Sequence, residues 1–259
     1  MDGLLLDSED AYTLVTNTIL HRHGRPTLPW SIKAQMQGRP GPSASKIFHE
    51  WAKLPIDNSQ FLVEQKALQE IEFPKCQPLP GVEKLLGDLA IAKVQGGREK
   101  VHIALATSSH KINFEMKTGH LTELFEVFEG HRRVLGDDER IPPNRGKPAP
   151  DIYLLALSTI NNSLAPGEKP ISPEECLVFE DSVPGVESGR RAGMRVVWCP
   201  HPELKKEFGG QEKEVLAGRT TSGSSEDMHQ VGELDDGWAD YLESLVDFPY
   251  ARYGIEIPK

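Results

Sequence analysis

Cysteine is scarce and odd in number: Cys76, Cys176 and Cys199 are the only three in 259 residues, and no CxxC spacing links any two. That excludes a disulfide framework and a cysteine-based zinc site. Long apolar runs are lacking too. No stretch approaches the ~20 residues of a membrane span, and the first ten residues carry no basic segment of the kind that opens a secretory leader. Basic charge is in deficit, with 29 Lys and Arg against 39 Asp and Glu, a formal charge of −10 and a pI near 5.4. A protein that coats nucleic acid or an anionic membrane is therefore not expected, although a local basic pocket for one small anion is compatible with this balance. HExxH, the Walker-type GxxxxGK[ST] and a Ser-His pairing are absent, and His102, His110 and His120 are scattered. Cys176 and Cys199 flank or lie in apolar strand-like runs and are expected to be buried thiols, in a reducing, cytoplasmic setting.

What is present is a change of rhythm. The length suits one large domain, or a domain with a smaller insertion. Residues 9–23 read as an amphipathic helix, with Tyr12, Val15, Thr16 and Ile19 on one side and Gly24 as its stop. Pro26, Pro29, Pro40 and Pro42 punctuate the next stretch, and 43–54 and 58–71 read as two further helices. No strand is expected between 11 and 75. From Pro78 onward helices alternate with short apolar strands: a helix over 78–93, a strand at VHIALAT (101–107), a helix in HKINFEMKTGH, and a strand at LFEVFEG (124–130). A proline turn then feeds a helix over 146–160. CLVFED (176–181) reads as a strand, SVPGVESGRRAG as a helix, and MRVVWC (194–199) as the next strand. Such alternation predicts a parallel sheet with helices on both faces. The stretch 218–237 is polar, rich in glycine and serine, and too poor in apolar residues to fold alone. Beyond it, WADYLESLVDF (238–248) is expected to form one docking helix.

Three polar clusters fall where such a sheet binds ligands, beyond the carboxyl ends of its strands. Thr107, Ser108 and Ser109 follow VHIALAT, where hydroxyls and backbone N–H groups suit a phosphate; the plainer account is a helix N-cap. Lys147, set between Gly146 and Pro148, is a fixed point charge for phosphate, or simply a solvated turn lysine. Glu180 and Asp181 close CLVFED, and two adjacent carboxylates at the end of a buried strand are costly unless a cation neutralises them. A cap at Asp181 would explain only one of the two. Together the clusters describe hydroxyls and a lysine for phosphate, and carboxylates for a hard ion such as Mg²⁺. A nucleophile is the missing part.

In order, MDGLLLDSE, ALATSS, GKPAPDIY and LVFEDSVPGVESGRRAGM resemble the successive motifs of the haloacid dehalogenase-like phosphatases. FEMKT, LGDDERI and GKPAPDIY resemble the pseudouridine-5′-phosphatase-like branch, and the likeness covers roughly residues 1 to 205. It implies an α/β class with a Rossmann-like parallel sheet and an inserted all-helical cap. The core would be residues 1–10 and 79–210, the cap 11–78, and a polar linker and tail 211–259. It further implies a Mg²⁺-dependent phosphomonoesterase acting on a small sugar- or nucleoside-type phosphate. Asp2 would donate a proton to the leaving oxygen and later help activate water, its carbonyl binding Mg²⁺. Thr107, with the neighbouring Ser108 backbone and Ser109, would hold the phosphoryl group. Lys147 would neutralise developing charge, and Asp181 would ligate Mg²⁺ with Glu180 direct or through water. Gly3 matches the glycine that turns the chain away after the catalytic strand.

The resemblance also sharpens what the chain lacks. In the motif Asp-x-Asp-Gly the first aspartate is the nucleophile that becomes an aspartyl-phosphate. Here the second is Asp2, so the first would fall immediately before Met1, together with the first core strand, and Asp7 lies too far downstream to replace it. Three accounts stay open: a longer natural chain, a phosphoester-binding pseudoenzyme, or another carboxylate in the role. A phosphomutase is a close variant of the enzyme reading. The expected partner is a small phosphorylated metabolite, with no nucleic acid and no membrane, and the expected assembly is a monomer.

Overall fold

Helices alone occupy the first third of the described chain because prolines and helix-period apolar positions leave no room for a ladder. The structure is a computed structural model that describes residues 1–39, 41–97, 99–220 and 231–258. Helix α1 (Ser8–Arg22) carries Glu9 and Asp10 in its first turn and His21 and Arg22 in its last, the polarity that the helix dipole favours. After it come α2 (Trp30–Met36), α3 (Gly41–Ala52) and α4 (Asn58–Glu72). The Asp57 side chain caps α4 by accepting from the Gln60 amide at 2.8 Å. Val15, Ile19, Leu20, Phe48 and Phe61 pack into a core of their own within this lobe.

Beyond Lys75 the pattern changes to α/β. Helix α5 (Val82–Ile91) is followed by β1 (Lys93–Val94) and β2 (Leu105–Ala106), then α6 (Lys111–Thr118), α7 (Thr122–Phe125) and β3 (Arg133–Val134). Next come α8 (Asp151–Asn161), β4 (Leu177–Glu180), α9 (Val183–Arg191), β5 (Arg195–Trp198), α10 (Pro202–Glu207) and α11 (Glu212–Ala217). The described chain ends with β6 (Ala239–Tyr241) and β7 (Ile255–Glu256). Strands β2 and β3 pair in parallel, with Leu105 opposite Arg133, and β4–β5–β6 form a second parallel piece, with Leu177 opposite Arg195. Among the described residues no ladder joins the two pieces. The expected α/β architecture is present, with apolar strand faces covered by helices.

The amino-terminal segment lies beside these strands. The amides of Leu5 and Leu6 donate to the Met1 carbonyl at 2.8 and 3.2 Å, so residues 1–6 make a tight turn. Leu4, Leu5 and Leu6 are all buried in the larger core with Leu105, Phe114 and Phe125. Leu79 N donates to Leu5 O at 3.0 Å and Asp7 N to Gln77 O at 3.0 Å, so the segment is stapled where the helical lobe returns to the core.

Three elements differ from expectation. The stretch 124–130 is the end of α7 and a turn, not a strand. Phe125 and Phe128 are both buried, and their spacing of three suits a helical turn, whereas a strand would send them to opposite faces. Within VHIALAT the strand itself is confined to Leu105–Ala106. Residues 238–248 form no helix; Ala239–Tyr241 adds to the open edge of β5, with Val196 opposite Ala239. Half of the polar stretch 218–237, residues 221–230, lies outside the described residues. Past β6 the chain runs back over the core, and β7 pairs with β1 in antiparallel sense.

Phe248 anchors that return. Its ring lies 5.1 Å from Phe179, 5.2 Å from Tyr250 and 5.0 Å from Tyr253. Phe248→Ala is expected to cost about 3–5 kcal/mol, read as a lower urea midpoint; an unchanged midpoint would show that the carboxyl-terminal strap is not part of the cooperative core.

Candidate active site

The first cluster sits at the carboxyl end of β2. Thr107 N donates to Val134 O at 3.0 Å, which extends the β2–β3 pairing into the loop. Thr107 Oγ1 accepts from Ser109 N at 3.2 Å, and both side chains are buried. Helix α6 starts only at Lys111, after His110, so Thr107 is not its N-cap. The loop is pressed against the turn after β3: Gly136 N donates to Ser109 O at 2.9 Å, and a Cβ at Gly136 would overlap the Ser108 carbonyl.

Asp2 joins this loop to the rest of the site. Its Oδ1 accepts from Ser8 Oγ at 2.7 Å and from the Lys117 ammonium, and its Oδ2 accepts from Ser109 Oγ at 2.7 Å. Lys117 is fully buried and also donates to Ser109 Oγ at 2.7 Å and Tyr12 OH at 3.1 Å. Burial works against ionising Asp2, but Lys117 outweighs it and holds the carboxyl down at about 2. The same partner holds the Lys117 ammonium above its ordinary range despite its burial.

The second cluster closes β4. Glu180 Oε1 accepts from Lys147 and from Tyr153 OH, and Oε2 accepts from Ser182 Oγ at 3.0 Å. Burial opposes the charge on Glu180, and Lys147 more than offsets it, so the carboxyl ionises below its ordinary value. Lys147 is buried, so it is not a solvated turn lysine. The N-cap of α9 is Ser182, whose side chain accepts from Gly185 N at 3.2 Å. Asp181 is therefore not a cap. Its carboxyl is pushed up to about 8 by burial, by Glu180 beside it and by Glu9. Its Oδ2 accepts from Gln37 Nε2 at 2.6 Å.

These clusters meet through two residues. Asp2 holds Ser109, and Gly3, at φ +63°, lies so close to Asp181 that a Cβ would overlap that carboxylate. Ser109, Asp2, Asp181, Glu180 and Lys147 are thereby connected by successive contacts or peptide bonds. Their carboxylates are committed differently, Asp2 to Lys117, Glu180 to Lys147, and Asp181 to an amide. Among the described residues no three His, Cys, Asp or Glu side chains are gathered as a ready cation cage. The donor chemistry nevertheless fits a hard divalent ion at Asp181. Its carboxyl is pushed up by burial and by the negative charge of Glu180 and Glu9, a strain that a cation there would relieve.

Sequence reasoning missed Lys117, Tyr153, Ser8, Ser182 and Gln37. Lys117 left a trace in FEMKT, where it falls one turn from buried Phe114 on the apolar side of α6. Gln37 left none. The cysteines are free; Cys76 and Cys199 are buried, Cys176 is half-buried, and burial pushes all three thiols up to about 11.

The chain matches the profile of the haloacid dehalogenase-like hydrolases over residues 1–193, and it belongs to that family of enzymes. Among its relatives, a Saccharomyces cerevisiae protein described as a probable pseudouridine-5′-phosphatase is 42% identical over 98% of this chain and 94% of its own. An Arabidopsis thaliana mitochondrial (DL)-glycerol-3-phosphatase is 35% identical over 84% of this chain and 67% of its own. In fold, the chain resembles CbbY from Rhodobacter sphaeroides, crystallised with phosphate, at a TM-score of 0.63 and 18% identity over 96% of this chain and 93% of that one. Its described helices include none long and apolar enough to cross a membrane.

The Asp2–Lys117 pair should show in acid. A carboxyl lowered from 3.8 to about 2 contributes stability that is complete above the higher value and lost as pH falls through the lower one. That contribution is roughly 2 kcal/mol, and Asp2→Asn should flatten this limb of the stability–pH curve, measured by urea unfolding between about pH 2 and pH 5. Lys117→Met leaves a buried carboxylate unpaired and is expected to cost about 3–5 kcal/mol.

Proposed function

We propose that this chain is a Mg²⁺-dependent phosphomonoesterase site for small sugar- or nucleoside-type phosphates. The observation that carries the reading is the junction at Asp2–Gly3, which ties the hydroxyl loop after β2 to the Lys147–Glu180–Asp181 group after β4. Relatives whose names specify pseudouridine-5′-phosphatase and glycerol-3-phosphatase support the substrate class. Residues 11–78 would serve as the cap over a core of 1–10 and 79–210, with 211–259 as linker and tail.

Thr107, Ser108 and Ser109 would receive the phosphoryl oxygens, as hydroxyl and backbone donors. Lys147, already buried as a fixed cation, would offset the negative charge that develops on the transferring group. Asp181, with Glu180 and the main chain at Asp2, would hold Mg²⁺, which would supply further positive charge at the phosphoryl oxygens. Asp2 would carry protons between water and the leaving oxygen, a role that requires its pairing with Lys117, which holds it ionised in the free protein, to loosen when substrate binds. The attacking carboxylate would be the first aspartate of the Asp-x-Asp-Gly motif, whose second is Asp2.

Three measurements bear on this reading. Phosphate or vanadate should raise the thermal midpoint of the protein, and Lys147→Ala should abolish that protection, a loss of about 2–5 kcal/mol for a buried charged contact; protection that survives removes the lysine from the site. A chain extended upstream by a strand ending in Asp should hydrolyse a generic phosphomonoester with Mg²⁺, whereas an Asn at that added position should not. Because Asp181 titrates near 8, Mg²⁺ competes with a proton there. Its affinity should rise by up to about tenfold per pH unit below that point and level off above it, by isothermal titration. A flat profile, or one unchanged by Asp181→Ala, excludes Asp181 as the ligand.

A further inference from the structure

One residue of the helical lobe reaches the acids of the α/β core. Gln37 follows α2 directly, with its amide donating to Lys33 O at 3.0 Å, and only 8% of the residue is exposed. Its Nε2 donates to Asp181 Oδ2 at 2.6 Å. Its Oε1 is buried as well and accepts no hydrogen bond among the described residues. A buried amide oxygen left unpaired is costly, and native proteins keep such groups chiefly where a partner arrives from outside the chain.

The position of Gln37 is enforced from three sides. Gly38, at φ +75°, lies so close to Ser182 that a Cβ would overlap its side chain, which puts the α2 loop in contact with the start of α9. Lys33, one helical turn before Gln37, is buried and bonds Thr13 Oγ1 at 2.7 Å, Glu9 O at 3.0 Å and Glu9 Oε2 at 3.0 Å. Trp30, at the start of α2, stacks on His201 of the core with ring centroids 4.6 Å apart. In the structure the Gln37 amide nitrogen faces Asp181, so the group left free is its oxygen, which accepts from a donor.

A phosphoester bound with its phosphoryl group on the core loops has no donor of its own on that group once it is ionised. Its alcohol half does. We propose that Gln37 is a specificity residue whose Oε1 accepts a hydrogen bond from a hydroxyl of the substrate's alcohol half, an assignment that rests on the phosphoester reading above. A site built to bond a substrate hydroxyl rejects an analogue that lacks it, because the buried acceptor is then left unpaired. The chain thus selects polyhydroxylated phosphoesters over alkyl ones.

The test uses the full chain with Mg²⁺ and a pair of phosphonates that cannot be hydrolysed: 3,4-dihydroxybutylphosphonate and butylphosphonate. They share charge and length and differ only in the hydroxyls. Isothermal titration should show that wild type prefers the dihydroxy compound, and that Gln37→Met reduces the ratio of the two affinities by about tenfold. Gln37→Asn, one methylene shorter, should reduce it too and guards against a folding defect in the first variant. Mg²⁺ affinity is measured alongside. If both variants weaken Mg²⁺ and both phosphonates equally while the ratio stands, Gln37 only props Asp181 and the proposal is overturned. It is likewise overturned if wild type shows no preference although both phosphonates bind, and the phosphoester reading then stands. If neither phosphonate nor inorganic phosphate binds wild type, that reading fails and takes this proposal with it.

Discussion

An ammonium enclosed completely in protein must be neutralised and hydrogen-bonded where it sits, and Lys117 meets that requirement through Asp2, Ser109 and Tyr12. Much of the site follows from that demand. Because Asp2 is drawn to Lys117, its other oxygen is free to hold Ser109, and the loop after β2 is thereby tied to the amino-terminal turn. Because the turn is held, Gly3 is delivered against Asp181 on the other piece of sheet. One buried ion pair thus sets the distance between two groups of residues that share no ladder hydrogen bond among the described residues.

The second group is organised by a different balance of charge. Glu180 has a cation of its own in Lys147, with Tyr153 and Ser182 completing its oxygens, so it is stable as an anion in a buried place. Asp181 forms no ion pair of its own among the described residues, and burial, Glu180 and Glu9 raise it by more than the Met1 ammonium and Lys147 lower it. Adjacent carboxylates on one strand end are thus in opposite circumstances, one a fixed anion paired with a lysine and the other held up towards its protonated form. That asymmetry, rather than the mere count of acids, is what favours Asp181 as the cation ligand of the proposed site.

The helical lobe meets the core at Tyr12 and Phe73, which pack on Lys117, and again through α2. Gln37 touches Asp181, Gly38 touches Ser182, Lys33 bonds Glu9, and Trp30 stacks on His201. All four lie in or next to the seven-residue helix α2 or the loop that follows it. The lobe keeps its own apolar core around Ile19 and Phe48.

The sequence by itself determined the α/β class and the helical character of residues 11–75, and it singled out the motif residues of the proposed site. Strand runs such as Leu177–Glu180 and Arg195–Trp198 are legible because burial on both faces imposes continuous apolar residues. Thr107, Lys147, Glu180 and Asp181 are legible because their chemistry is conspicuous at the ends of such runs. Only the tertiary structure decided which carboxylate meets which cation, since Lys117 reaches Asp2 across 115 positions and Gln37 reaches Asp181 across 144. Tertiary context also turned 239–241 into a strand, because the open edge of β5 offers ladder partners that an isolated helix cannot match, and it placed Phe125 and Phe128 in a helical turn. Local pattern records which face of an element is buried. It carries no record of what lies on the other side of the contact.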